Sequence, residues 1–132
     1  MTSETAVDPD AATKELAGLA FAQALAIRDF DKLASLLDPS VEFRALTPRR
    51  AWEAAGDAET LVLFRRWFDL PTVVDEIDDV SSHAVGDRMH VAYRFLGHGD
   101  DGPFVIEQQI YFTERDRRID WMRMMCSGFR PR

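Results

Sequence analysis

The stretch "FVIEQQIYFTERDRRIDWMRMMCS", residues 104–127, decides the fold. Ile106, Gln108, Ile110 and Phe112 fall on one side of a period of two, with Glu107, Gln109 and Tyr111 on the other. Such alternation marks a half-buried strand, because successive side chains of an extended backbone point to opposite faces. After "ERDRR" the alternation resumes: Met122, Met124 and Cys126 share one face, and Trp121, Arg123 and Met125 the other. Two such runs joined by a short polar turn predict an antiparallel hairpin. Its second arm collects three of the five methionines and the only cysteine of the chain. These soft side chains suit either an irregular core or the wall of an adaptable apolar cavity. Both readings stand at this point.

Upstream, "TVVDEIDDVSSHAV" (72–85) and "RMHVAYRFL" (88–96) carry the same period. Turns are predicted at Gly86-Asp87 and at "GHGDDGP" (97–103), which completes a four-stranded antiparallel meander. The N-terminal half reads differently. "DPDAATKELAGLAFAQALAIRDF" (8–30) predicts a helix, capped by Asp8 or Asp10, with Pro9 suited to its first turn. Leu16, Leu19, Phe21, Leu25 and Ile27 cover more than one stripe of it, so burial on several sides is expected. "RDFDKLASLLDP" (28–39) predicts a second short helix, capped near Asp29 and stopped by Asp38-Pro39, and "VEFRAL" (41–46) a strand. "TPRRAWEAAG" (47–56) reads as a loop, after which Asp57 is expected to cap a third helix that Pro71 closes. Helix, helix, strand, helix and meander define an α+β architecture. The expectation is a curved antiparallel or mixed sheet that wraps around the N-terminal helices, closed at one end and open at the other. Such an open end is a usual place for a ligand.

The chain has 132 residues, expected as a single domain over 9–132 behind a tail at 1–8. With 46% hydrophobic and 30% charged residues it has a globular composition. A net charge of −7 without any basic block argues against nucleic acid as a partner. No apolar run approaches the roughly 20 residues that span a bilayer, and "MTSETAVDPD" lacks the pattern of a signal peptide. A cytoplasmic location without membrane contact is therefore the expectation. The lone Cys126 excludes an internal disulfide, and His83, His90 and His98 lack a metal-ligand spacing. Neither a metal nor a cofactor is expected.

Three segments carry a family resemblance: "RDFDKLASLLDPSVEFRAL" (28–46), "GDAETLVLFRRWF" (56–68) and "RDRRIDWMRMMCSGF" (115–129). In this order they resemble the nuclear transport factor 2-like superfamily, in particular its SnoaL-like branch of small cone-shaped proteins. The first is similar to the family's second helix running into its first strand, the second to its glycine-led third helix, the third to its last hairpin. Arg117 stands where a glycine is common in that turn. The likeness spans about residues 11–129. The superfamily includes ketosteroid isomerases, polyketide cyclases, dehydratases and epoxide hydrolases, beside proteins with no chemistry, so the fold alone assigns no reaction. Carried over residue by residue, the isomerase tyrosine falls on Phe21. Its general-base aspartate falls near Arg44, and its second aspartate on Gln108 or Gln109, depending on the register of the final turn. An arginine cannot serve as a carboxylate base, and phenylalanine donates no hydrogen bond to an oxyanion. Ketosteroid isomerase activity is therefore not expected.

The resemblance implies a cone interior lined by Phe21, Tyr93, Gln108, Met122, Met124 and Cys126, with Trp67 near its mouth and Trp52 as part of a lid. Gln108 is either an amide satisfied by a neighbour or a handle for a ligand. Pattern places Arg44 outside, while the resemblance places it in the cavity, where Glu53 would be its partner. Arg44, Gln108 and His90 are the candidates for acid–base work, His90 as a histidine inside a predicted strand. Cys126 has no evident histidine to activate it. "DEIDD" (75–79) reads as a solvated strand face. The expected function is a small-molecule pocket protein for a mainly apolar, cyclic ligand, with cofactor-independent isomerase, cyclase or hydrolase chemistry within its reach. The alternative is a non-catalytic dimeric module whose cone is filled by its own side chains. The resemblance also implies a homodimer, whose contact face would carry Tyr111, Trp121 and Met125.

Overall fold

The computed structural model describes residues 11–132. The tail at 1–8 and the helix start expected at Asp8, Pro9 or Asp10 lie outside the described residues. Helix α1 spans Ala11–Ala26, α2 Phe30–Leu36 and α3 Gly56–Phe68. The strands are β1 Leu37–Thr47, β2 Arg50–Ala55, β3 Val73–Val85, β4 Arg88–Gly99, β5 Gly102–Arg115, β6 Arg118–Cys126 and the short β7 Arg130–Pro131. They form one open sheet in the order β2-β1-β6-β5-β4-β3, with β7 against β5. Every pair is antiparallel except β1 with β6, so the sheet is mixed. Among the described residues no helix is long and apolar enough to cross a membrane.

The hairpin of residues 104–127 is the centre of this sheet. Alternation places Ile106, Gln108, Ile110 and Phe112 of β5 and Met122 and Met124 of β6 on the inner face, all buried. Val41, Phe43 and Ala45 of β1 and Val91, Tyr93 and Phe95 of β4 continue that face on either side. The helices lay Phe21 and Leu25 of α1, Leu33 of α2, and Phe64 and Phe68 of α3 against it. Bulges in the β3–β4 and β5–β6 pairings bend the sheet. At Gly18 the helix comes so close to β3 that a Cβ would lie 2.2 Å from Ser82 Oγ, so glycine is what permits the approach. The acidic run Asp75–Asp79 lies on β3, an edge strand, where charge discourages pairing with other chains.

Three expectations are corrected here. Residues 50–55 are a strand rather than loop: Arg50–Ala55 pairs with β1 through a Pro48-Arg49 turn, with Arg49 at φ 69°. Pro48 and Gly56 flank the run and suggest a loop, but the backbone groups of "RAWEAA" find their partners in β1. Asp57 does not cap α3. The helix already begins at Gly56, whose φ of 86° turns the chain into it. Asp57 and Glu59 sit in the first turn, where negative charge suits the helix dipole, and Glu59 Oε1 accepts from Ala55 N at 3.1 Å. Finally, α1 is enclosed on several sides at Phe21, Ala22, Ala24, Leu25 and Ala26, as expected, but Leu16 and Ile27 of its apolar set are exposed, because the sheet and the other two helices leave that strip uncovered.

Candidate functional site

The inner face was expected to hold a ligand. A side chain bordering a void that admits water keeps accessible surface on that side. Phe21, Leu25, Phe64, Phe112, Ile110 and Met122 keep none, and Phe43 and Met124 keep at most 4%. The cone is filled. Phe64 meets Phe21 and Phe43 edge-to-face at 5.6 and 5.4 Å, the geometry that aromatic quadrupoles favour.

Within this packing one polar chain is buried. The register pairs Gln108 with Tyr93 on β4 and with Cys126 on β6, which settles Gln108 as inward and Gln109 as outward. The Tyr93 hydroxyl donates to Gln108 Oε1, and Gln108 Nε2 donates to Cys126 Sγ at 3.3 Å. Gly128 N donates to the same sulfur at 3.3 Å. The amide is thus satisfied by its neighbours. Burial, and secondarily the neighbouring Cys126, hold the Tyr93 phenol well above its ordinary pKa, so it is a hydrogen-bond donor and not a base. Thr60 and Gln108 are the other buried polar side chains among the described residues, and no carboxylate, histidine or lysine joins them.

Arg44 lies on the outer face, its Nε 3.1 Å from Glu53 Oε1. Glu53 is thus the partner foreseen for it, but both side chains are more than half exposed. His90 is also on the outer face, half-buried between His83 and Tyr111, with Nε2 3.2 Å from Gln109 Oε1. Trp67 is half-buried beside Phe43 and edge-on to Trp52 at 5.4 Å. The structure therefore joins Tyr93, Gln108 and Cys126, and sets Phe21, Met122 and Met124 in the same core. It leaves Arg44 and His90 apart from that group.

The open concavity is on the other side of the sheet. A trough of about 600 Å³ runs across β2, β1, β6 and β5, with Arg44, Leu46, Glu53, Tyr111, Arg123 and Met125 among its lining. A polar hollow of about 300 Å³, which shares Gln109 and Met125 with the trough, reaches Arg94, Glu107 and Ser127 and is lined as well by Tyr93, Gln108 and Cys126. Leu46 and Met125 are 52% and 59% exposed there. Sequence reasoning missed the part that β2 contributes, because "RAWEAA" shows no period of two. Among the described residues no group of three or more histidines, cysteines or carboxylates could hold a metal.

Solved structures share this architecture. An LEH-like epoxide hydrolase from M. tuberculosis matches with a TM-score of 0.68 at 19% identity, over 90% of this chain and 86% of its own. A protein with a ketosteroid isomerase-like fold from Catenulispora acidiphila DSM 44928, in complex with trimethylamine, gives 0.65 at 16% identity over 85% of both chains. An NTF2-like protein of unknown function from Pseudomonas putida KT2440 gives 0.57 at 13%, over 83% of this chain and 81% of its own. No family model and no curated protein matches the chain. The chain has the nuclear transport factor 2-like fold, an α+β cone, as its sequence resemblance implied. At these identities the likeness is one of fold, and the side chains of this protein must carry the functional argument.

Proposed function

We propose that this protein is a homodimeric, non-catalytic module of the SnoaL-like type, whose two copies meet through the outer face of the sheet. The observation that carries this reading is the inner face, which is filled and holds no ionisable base among the described residues. Isomerisation and epoxide hydrolysis both need a group that takes or gives a proton beside the substrate. Tyr93 and Gln108 supply only a donor and an amide, each already engaged. On the outer face Leu46, Tyr111 and Met125 form an apolar group that a monomer leaves in water. Around it Arg44 pairs with Glu53, and Arg123 with Glu42 at 3.4 Å. In a chain of net charge −7 this face is locally balanced, so a second copy meets both signs instead of like charge.

The test is mass in solution. Sedimentation at micromolar concentration is expected to give twice the 15.0 kDa chain mass, and Met125→Glu to give the folded monomer. A wild type that remains monomeric at tens of micromolar ends the dimer reading. A second reading then stands, favoured by the size of the trough: about 600 Å³ is the volume of a small-molecule site. In that reading an apolar ring compound occupies the trough and raises the melting temperature of the monomer.

A further inference from the structure

Four arginines are held by carboxylates. Arg44 pairs with Glu53, Arg94 with Asp78 and Glu107, Arg115 with Asp38, and Arg123 with Glu42. Arg50 and Arg66 are different. Among the described residues neither has a carboxylate within ion-pair distance, and both lie over the same indole. The Arg50 Cζ is 3.5 Å and the Arg66 Cζ 5.3 Å from the centroid of Trp52. Each guanidinium thus makes a cation–π contact with the ring, while no carboxylate among the described residues takes its N–H donors. Free donors of this kind can receive a carboxylate in bidentate fashion.

The platform beneath them is rigid. Trp52 Nε1 donates to Thr47 Oγ1 at 2.8 Å across the β1–β2 hairpin, and Trp67 braces the indole edge-on. Arg50 and Trp52 are two residues apart on β2, so one strand face presents both, while α3 brings Arg66. Strand β2 is the edge of the sheet, with no further strand to cover this corner. Trp121 too lies under two arginines, Arg88 at 4.2 Å and Arg123 at 4.5 Å. There the donors of Arg123 are spent on Glu42 and on the carbonyls of Glu42 and Met122, which leaves Arg88 as a single guanidinium without a carboxylate among the described residues.

We propose that Arg50 and Arg66, both over Trp52, form a binding site for a small aromatic carboxylate, the guanidiniums taking the anion and its ring resting beside the Trp52–Trp67 pair. The site shares Trp52 with the lining of the trough, but Arg50 and Arg66 lie outside that lining, and the proposal does not depend on the dimer reading. The probe is 2-naphthoate, with neutral 2-naphthamide as its match in shape, followed by NMR of the ¹⁵N-labelled protein. The naphthoate is expected to shift the Trp52 indole N–H and to bind at least about tenfold more tightly than the amide. That preference should shrink with added salt. Arg50→Gln combined with Arg66→Gln should abolish it while the amide spectrum stays folded. Arg66→Gln alone should reduce it. The proposal is overturned if acid and amide bind equally, if the shifts map to Tyr111 and Met125 instead, or if the double variant keeps its preference. It is overturned equally if naphthoate at millimolar concentration moves no resonance.

Discussion

Replacing Met124 with tryptophan asks whether the cone has room. Met124 is 4% exposed on the inner face. Its register partners are Ala45 on β1, 3% exposed, and Ile110 on β5, which has no exposure. On the inner face the larger ring would therefore have to displace a neighbouring strand or helix side chain, since the trough that Met124 also borders leaves the residue only 4% exposed. Overpacking of this kind costs about 1–3 kcal/mol. In a domain of this size 1 kcal/mol moves the melting midpoint by about 4 °C, so a fall of about 4–12 °C is expected. Differential scanning calorimetry at fixed protein concentration measures it, and the concentration must be fixed because dimerisation also shifts the midpoint. Met124→Leu, which keeps the volume, should stay within about 1.5 kcal/mol of wild type. A tryptophan variant that melts at or above the wild-type temperature would show a cavity where the filled cone has none.

Gln108→Leu should cost about 1–3 kcal/mol by leaving the buried Tyr93 hydroxyl without an acceptor, whereas the double change with Tyr93→Phe should recover most of it. If the double variant is as unstable as the sum of the singles in urea denaturation, the bond is not what stabilises the pair. Burial raises the folded-state pKa of Tyr93 above that of the unfolded chain. The folded form then binds more protons above about pH 10, so this contribution is complete below that pH and declines as pH rises further. Tyr93→Phe should lose less stability than wild type between pH 10 and 11.5, and parallel curves for the two would contradict the shift. Gly97→Ala should be severely destabilising, because a Cβ there would lie 2.1 Å from the Val73 carbonyl oxygen and 2.7 Å from Phe104 Cζ. Wild-type melting of that variant would mean that β3 and β4 are not as close as described.

Much of this was legible in the chain itself. Period two in residues 72–127 is set by residues next to one another, and it identified the four long strands and sorted the side chains of "FVIEQQIYFTERDRRIDWMRMMCS" onto two faces. The same logic placed Glu42 and Arg44 opposite Val41 and Phe43, and the exposed Arg44–Glu53 pair agrees with that pattern. Other features depend on what is packed alongside. "RAWEAA" is a strand because β1, just before it in the chain, supplies partners for its backbone, a fact of pairing that the composition of the six residues does not contain. Leu16 and Ile27 are exposed because no element lies over that side of α1, though the helix is apolar on several sides. Whether Met122 and Met124 line a cavity or fill a core turned on how closely Phe21, Phe43 and Phe64 approach them from other elements. Arg50 and Arg66 meet over one indole only because β2 and α3 pack together. Alternation along a strand is a local property of the backbone and can be read in one dimension. Enclosed volume and convergence of side chains are sums over distant segments, and only the folded chain carries them out.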